Sequence, residues 1–391
     1  MNTNTKTPLW SLSFIFITVA NALLFMIFEM LLPTLPLFVV DIGGSSFDVG
    51  LVTGLFMVSA ILIRPFAGIL LQLMDKKYLL IIGILINALA TGAYYVSSDV
   101  TILFIIRLIH GAGFGLASTY FATIAAEIVP KERRGEGIGY FGVGETIAIS
   151  VGPMIGIMIL EWFDFQQLFI GGMSVLLLAI LSVVMVKRPK VDASSDVAKM
   201  KVKLFDKRVL APSLLVLLLG IAASGIMSFL SLYAVEKGFN HVGLFFFLIA
   251  AASFLVRLIS GRLFDLHGPT IILIPGAILS IIGFGFLYFA QHDWMFYIAA
   301  IFYGFGFGAI FPAIQTWCIN LVEEGESEYA MASFFNFFDL GIGSGSLIFG
   351  SLAISMSYGF IYVVAIFVYL LFLIMYILIM INKRRTKKVA S

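Results

Sequence analysis

Carboxylates, arginines and a histidine stand inside long apolar stretches of this sequence, at Glu29, Arg64, Arg107, His110, Glu145, Arg257 and Asp339. A charge at the centre of a bilayer costs about 3 kcal/mol on insertion scales and more in simulation, so each is a candidate for a substrate or proton pathway. Glu29 lies in "FEMLLPTLP", with Pro33 and Pro36 four and seven residues on, sharing one helical face. Proline withdraws a backbone donor, so that face must meet protein or water rather than lipid. Arg107 and His110 are one turn apart and can face one direction. Arginine keeps its proton but sets the charge state of a neighbouring carboxylate, and a wetted histidine titrates near neutrality. The plainer role for all of these groups is a bond between helices.

Glu145 belongs to "FGVGETIAISVGPMIG", residues 141–156, where a carboxylate and the pair Gly152-Pro153 share one greasy segment. Gly152 and Gly156 follow on the face of Glu145, small residues spaced by four let backbones approach, and Pro153 softens or bends the helix. The segment therefore reads as a hinged packing seam with a protonatable group on its cytoplasmic side. Asp339 repeats the arrangement, with Gly343, Ser346 and Gly350 behind it. For these two carboxylates, proton coupling and structural pairing fit the pattern equally. Arg64 and Arg257 each precede a glycine, Gly68 and Gly261, by four residues near the cytoplasmic ends of their spans. Long arginines there can snorkel, which suits a gate or a structural role better than substrate contact.

The elements that must hold these groups are membrane helices. The chain is 61% hydrophobic and 12% charged, with a mean hydropathy of +1.08. No soluble core could hide so much apolar surface. Apolar runs near 11–38, 49–73, 79–97, 101–126, 136–160, 167–186, 210–235, 243–264, 270–290, 294–321, 328–356 and 359–381 give twelve spans of helical length. They are too long and too uniformly apolar for barrel strands. The first run continues through Pro33 and Pro36 without a small-residue cleavage pattern and reads as a retained helix. Cys318 is the single cysteine, which excludes disulfides within the chain and a cysteine-based zinc site.

Alternate loops differ in charge. One set carries Lys6, Lys76, Lys77, Lys131, Arg133, Arg134, a block from Lys187 to Arg208 and the tail "KRRTKK". The other holds Asp41, Asp48, Asp99, Glu161, Asp164, Glu236 and Asp293, with Lys237 as its only Lys or Arg. The positive-inside rule then places both termini and the central block in the cytoplasm of a cell-membrane protein. That block is expected as a linker, 187–209, between helical halves 1–186 and 210–391. At an offset of 193 residues "ILIRPFAGILLQ" (61–72) lies over "FLVRLISGRLFD" (254–265), and "HGAGFG" (110–115) over "YGFGFG" (303–308). At an offset of 194 Glu145 meets Asp339 and Gly156 meets Gly350. A repeat of six spans per copy is the pattern of transporters whose halves rock about a site at the midplane.

With these motifs in place the chain resembles the major facilitator superfamily along its whole length. "GRLFDLHG", Gly261 to Gly268 with Asp265, is similar to the loop motif that family carries. The first-half copy, "GILLQLMDKK", has Gln72 in the aspartate's place, with Asp75 three residues later. "RLIHGAGFG" resembles the span-four motif, with His110 where the family has glutamine. "GPMIG" resembles the span-five motif of the twelve-span drug:proton antiporters. Position, packing and these motifs together give Arg64, Gly68, Gly152, Pro153, Gly156, Arg257, Gly261 and Asp265 as the expected gating or conformational residues.

The glycine runs "GAGFG" and "GFGFG" follow no strand and end in no lysine, so they are packing motifs and not phosphate loops. Without a Walker motif, transport energy cannot come from ATP hydrolysed by this chain. The aromatic cluster around Asn336, with Phe334 and Phe338, offers a candidate apolar cavity for a bulky ligand. The expected protein is an all-α, twelve-helix carrier in two pseudo-symmetric six-helix bundles, not an enzyme. It is expected to need no metal or cofactor, to bind no nucleic acid and to work as a monomer in the lipid bilayer. Its expected activity is export of small amphipathic or cationic compounds in exchange for protons, with Glu29, Arg107, His110, Glu145 and Asp339 as coupling residues. A dedicated exporter of one metabolite, such as a metallophore or an anionic conjugate, is the alternative, with Arg107, His110 and Arg257 as its carboxylate ligands. A lipid flippase would call for a lateral groove that the sequence does not display.

Overall fold

A computed structural model describes residues 9–71, 73–130, 133–187, 206–323 and 327–390. Lys6, Gln72, Lys131 and the charged block from 188 to 205 lie outside the described residues. The helices are α1 (Leu12–Asp41), α2 (Ser46–Leu70), α3 (Lys76–Ala93), α4 (Val100–Ile128), α5 (Arg134–Trp162) and α6 (Phe165–Val184). There follow α7 (Leu210–Lys237), α8 (Val242–His267), α9 (Thr270–Phe289), α10 (Asp293–Ile319), α11 (Ser327–Ala353) and α12 (Tyr358–Ala390). Each is long and apolar enough to cross a membrane. Hydrophobic runs of this length have one way to satisfy their backbone in lipid, which is the helix.

Local chemistry sets the ends. The Asp99 carboxylate accepts from the backbone N–H of Thr101 at 2.7 Å and opens α4. Those bonds, from Thr101 first, hold this exposed carboxyl below its ordinary range. Asp164 and Gln167 form a reciprocal cap on α6. Ser45 and Asp48 exchange hydrogen bonds across the start of α2. Gly238 ends α7 at φ +71°, a left-handed conformation that side chains resist. Lys77 Nζ donates to the carbonyls of Val184 and Val186 at 2.7 and 2.9 Å, closing the end of α6. Its neighbour Lys76 pairs with Glu127 at the end of α4. Asp206, the last residue before the turn Lys207–Val209, is docked: its N–H donates to Ser333 Oγ at 2.8 Å, and its carboxylate pairs with Arg208.

The described residues fall into two compact units, one drawn from Met1–Leu31 and Val58–Val202, the other from Leu32–Met57 and Lys203–Ser391. In the first, α3 packs on α4 and α6. In the second, α9 packs on α10 and α12, and α7 on α11 and α12. The internal repeat is visible in the glycines. A Cβ at Gly83 would lie 2.9 Å from the Ala117 nitrogen and 3.1 Å from the Gly113 carbonyl oxygen. A Cβ at Gly276, 193 residues on, would lie 3.2 Å from the carbonyl oxygen of Gly306. Gly115 meets the Ala60 carbonyl and Gly308 meets Ser253, again 193 residues apart on both sides. Small residues recur where two helices cross in the same register.

Within the second unit the N-terminal part of α2 lies against α11 and α7. Gly50 approaches the Ser346 carbonyl, and Gly350 lies against Ser46 and Gly50. Thr53, Ser228 and Ser346 form a chain of hydroxyl bonds at 3.3 and 3.1 Å, and Ser46 bonds to the Tyr358 hydroxyl at 2.8 Å.

Candidate functional site

Glu29 is 4% exposed, on the face of α1 that receives α5. A Cβ at Gly152 would stand 2.7 Å from Glu29 Cβ, 3.0 Å from the Met26 carbonyl oxygen and 3.3 Å from the Met30 nitrogen. Gly156 meets Met30 one turn on, and Gly144 faces Ala22. The absence of side chains on α5 is thus what lets Glu29 fit between the helices. Both helices are also softened here. Pro33 has no N–H to donate to the Glu29 carbonyl four residues back, and Pro153 has none for Ile149. Beside Glu29, the Phe28 and Phe25 rings pack on Phe114 of α4 at 4.6 and 5.3 Å.

Arg107 and His110 are each 1% exposed, and Tyr94, in the single tight turn after α3, joins them. Tyr94 Oη lies 2.7 Å from His110 Nδ1 and accepts from Arg107 Nη1 at 3.3 Å. A guanidinium only donates, so the tyrosine accepts from it and its own hydrogen is available to His110. The Tyr94 ring is held by Phe169 of α6 at 5.4 Å. The arrangement fixes a permanent positive charge inside the first unit.

Glu145, half-buried, faces α1 as its spacing with Gly152 requires, and Asn21 Nδ2 donates to its Oε1 at 2.9 Å. Asn21 is fully buried.

In the second unit α11 offers two small faces. Gly341 and Gly345 lie on α7, and Gly343 and Gly350 lie on α2. Gly345 meets Ile221 and Ser224 as Gly152 meets Met26 and Glu29, so α5 and α11 correspond here at 193 residues and not at the 194 that matched Glu145 to Asp339, and Ser224 holds the place that Glu29 holds in the first unit. The carboxylate at this seam is a property of α1 that α7 does not repeat. Asp339 is half-buried on α11, and Asn336 is buried. Phe334 and Phe338 pack on Phe311 of α10 at 5.0 and 4.9 Å, and Phe311 stacks on Phe307 at 5.5 Å. Arg64 and Arg257 are half-buried on α2 and α8, and Asp265 is exposed near the end of α8. A side chain at Gly261 would meet nothing within 4 Å. Gly68 lies within α2.

The structure thus brings Glu29 to Gly152, Arg107 to His110, and Phe334 to Phe338 through Phe311. Two partners were missed in the sequence. Tyr94 sits at a span's edge, where tyrosine is a common interfacial residue. Asn21 is a polar residue inside the first span, and that was the signal available for it.

A family model described as Major Facilitator Superfamily matches residues 17–271 and 241–391. The chain is 25% identical over 344 residues to the quinolone resistance protein NorA of Staphylococcus aureus, covering 84% of this chain and 87% of that protein. It is 26% identical over 353 residues to the multidrug resistance protein MdtG of Citrobacter koseri, with 85% and 86% covered. Among solved structures, the nucleoside transporter NupG superposes with a TM-score of 0.71 at 15% identity, covering 94% of this chain and 99% of that one. A bacterial homologue of the human lysosomal transporter Spinster, inward-facing and unoccupied, gives 0.69 at 14% identity, with 90% and 84% covered. At these identities the two structures show a shared fold.

Proposed function

The chain belongs to the major facilitator superfamily, a family of transporters for small molecules, and from that premise we propose that it exports small amphipathic or cationic organic compounds in exchange for protons. The observation that carries this reading is Glu29, a carboxylate buried in α1 against the glycine of the Gly152-Pro153 pair. A carboxylate in that position is neutral with a proton and anionic without one, so a proton and a cationic substrate compete for one place. The Phe25, Phe28 and Phe114 rings beside it favour a flat or cationic guest, because an aromatic face attracts positive charge. Arg107, His110 and Tyr94 set the field of the same unit. The kinship with proteins named for quinolone and multidrug resistance supports an export direction and a broad substrate range.

In this reading the chain works as a monomer in the cell membrane, with both termini and a linker at 187–209 in the cytoplasm between halves 1–186 and 210–391. A membrane potential of about 100 mV supplies ~2.3 kcal/mol per proton, before any pH gradient is added. The Gly152-Pro153 segment serves as the place where α5 moves against α1 during alternation. Arg64, Gly68, Arg257, Gly261 and Asp265 act at the gates, Asp339 takes part in coupling, and Asn336 with Phe334 and Phe338 supplies an apolar substrate pocket within the second unit. An untargeted comparison of organic compounds retained by cells with and without the protein tests the substrate class. Greater retention of lipophilic cations in cells lacking it is expected. Retention of one anionic metabolite alone would replace this reading with that of a dedicated exporter.

A further inference from the structure

Two polar side chains are set into the small-residue seam between α1 and α5. Asn21 gives its Nδ2 hydrogen to Glu145 Oε1 at 2.9 Å. The other end of the same amide, Oδ1, is sealed from solvent and meets no donor, and Thr18 Oγ1, one turn earlier on α1, is in the same condition. Thr18 lies where Gly144, the residue before Glu145, crosses α1.

A carboxylate only accepts hydrogen bonds, so an ionised Glu145 satisfies Nδ2 and leaves Oδ1 stranded. A carboxylic acid has one O–H to give. With a proton on Oε2, the acid has a hydrogen to give, and an acid–amide pair then has a donor and an acceptor for each end of Asn21. Exchanging the nitrogen and oxygen of the amide changes nothing, because its carbonyl would then face Glu145 and could bond only to a protonated carboxyl. The acidic and basic side chains on the neighbouring elements are Glu29 and Asp41 on α1, and Arg107, His110 and Glu127 on α4, with Tyr120 the phenol of α4; α6 carries none. On α5 itself Arg134 and Glu136 lie in the first turn and Glu161 in the last. Asn21 is about two turns from Glu29 along α1, so Glu145 is a separate position.

We propose that Asn21 and Glu145 form a second proton-binding site, with the bound proton held between Glu145 and Asn21 Oδ1. The O–H bond forms when the carboxylate takes a proton from water and breaks when the proton returns to water, with no other reactant. Loss of the proton strands an acceptor and places a charge in the seam, so it loosens α5 from α1 beside Gly144. Proton occupancy is thereby tied to the helix pair that carries Gly152-Pro153. The role in transport rests on the proton-coupled reading above; the chemistry of the pair does not.

Infrared difference spectra of the purified full-length protein in lipid nanodiscs, taken from mildly acidic to neutral pH, test it. The wild type is expected to show, in the protonated-carboxyl region, a D2O-sensitive carbonyl band from Glu145 hydrogen-bonded in the seam. Glu145→Gln keeps both hydrogen bonds as an amide–amide pair, so it should fold as the wild type does while losing that band. Asn21→Leu should keep the band at a higher frequency, because its acceptor is gone. A wild-type spectrum that Glu145→Gln leaves unchanged overturns the site, as does a band that Asn21→Leu does not move. Transport driven by a pH gradient is measured on the same preparations. If the band behaves as expected but transport ignores the gradient, the site stands and the proton-coupled reading falls. If transport follows the gradient and the band does not, the site falls alone.

Discussion

Replacing Gly152 separates packing from function most sharply, because its surroundings leave so little freedom. A Cβ there would be 2.7 Å from Glu29 Cβ, about 0.7 Å short of the 3.4 Å at which ordinary contact begins. Two of the three nearest atoms, the Met26 oxygen and the Met30 nitrogen, are backbone and cannot rotate away. Alanine must therefore push α5 off α1, and leucine must push it further. Overpacking of this kind costs about 1–3 kcal/mol. If the strain falls on one of the two alternating conformations, turnover falls by about 5- to 150-fold. Gly152→Ala is expected near the lower figure and Gly152→Leu near the upper. Gly142, on the same helix, has nothing within 4 Å of where a Cβ would stand, so Gly142→Ala should transport as the wild type does. Uptake of a fluorescent lipophilic cation into inside-out vesicles gives the rate, normalised to protein in the membrane. Wild-type rates for both Gly152 variants at normal abundance would refute the close α1–α5 approach as a functional element.

Tyr94→Phe removes one hydrogen-bond partner from both Arg107 and His110, and a loss of about 1–3 kcal/mol in stability is expected from a thermal or denaturant melt in detergent. An unchanged melt would show that the tyrosine hydroxyl does not hold them. Asp99→Ala should lower the melting temperature at neutral pH. Because the Asp99 carboxyl is held below its ordinary range by the Thr101 bonds, the deficit should shrink as pH falls through that lowered range, where the wild-type cap is itself lost. A deficit that grows on acidification would contradict the cap. For topology, a cysteine placed at Ser194 after replacement of Cys318 should react with an impermeant thiol reagent only once cells are opened. Labelling on intact cells would invert the orientation.

Much of the fold was legible because membrane helices advertise themselves by length and apolarity. The runs expected at 210–235 and 270–290 begin where α7 and α9 begin. The run expected at 49–73 is shifted as α2, Ser46–Leu70, because the exchange between Ser45 and Asp48 starts the helix earlier than hydropathy does. Relations within one helix were legible too. Arg107 and His110 meet through Tyr94 as one-turn neighbours can, and the small face after Glu145 does meet α1. Relations between helices were not. Glu145 and Asn21 are 124 residues apart, and no periodicity in one span points to a residue in another. Glu29 and Gly152 each stood out alone, yet only the crossing of α1 and α5 makes them neighbours. Ser224 in the place of Glu29 was hidden for the same reason, since the repeat was read from motifs in other helices.

The most direct measurement is gradient-driven transport by the wild type and by Glu29→Gln, which keeps the shape of the side chain and removes its charge. Each is reconstituted in proteoliposomes, and ethidium movement is followed under an imposed pH gradient, with an ionophore that collapses the gradient as control. The expected result is ethidium accumulation on the acidic side by the wild type, abolished by the ionophore, and none above background by Glu29→Gln at equal reconstitution. Full gradient-driven accumulation by Glu29→Gln, or wild-type accumulation that persists after the gradient is collapsed, would contradict a proton and cation competing at Glu29.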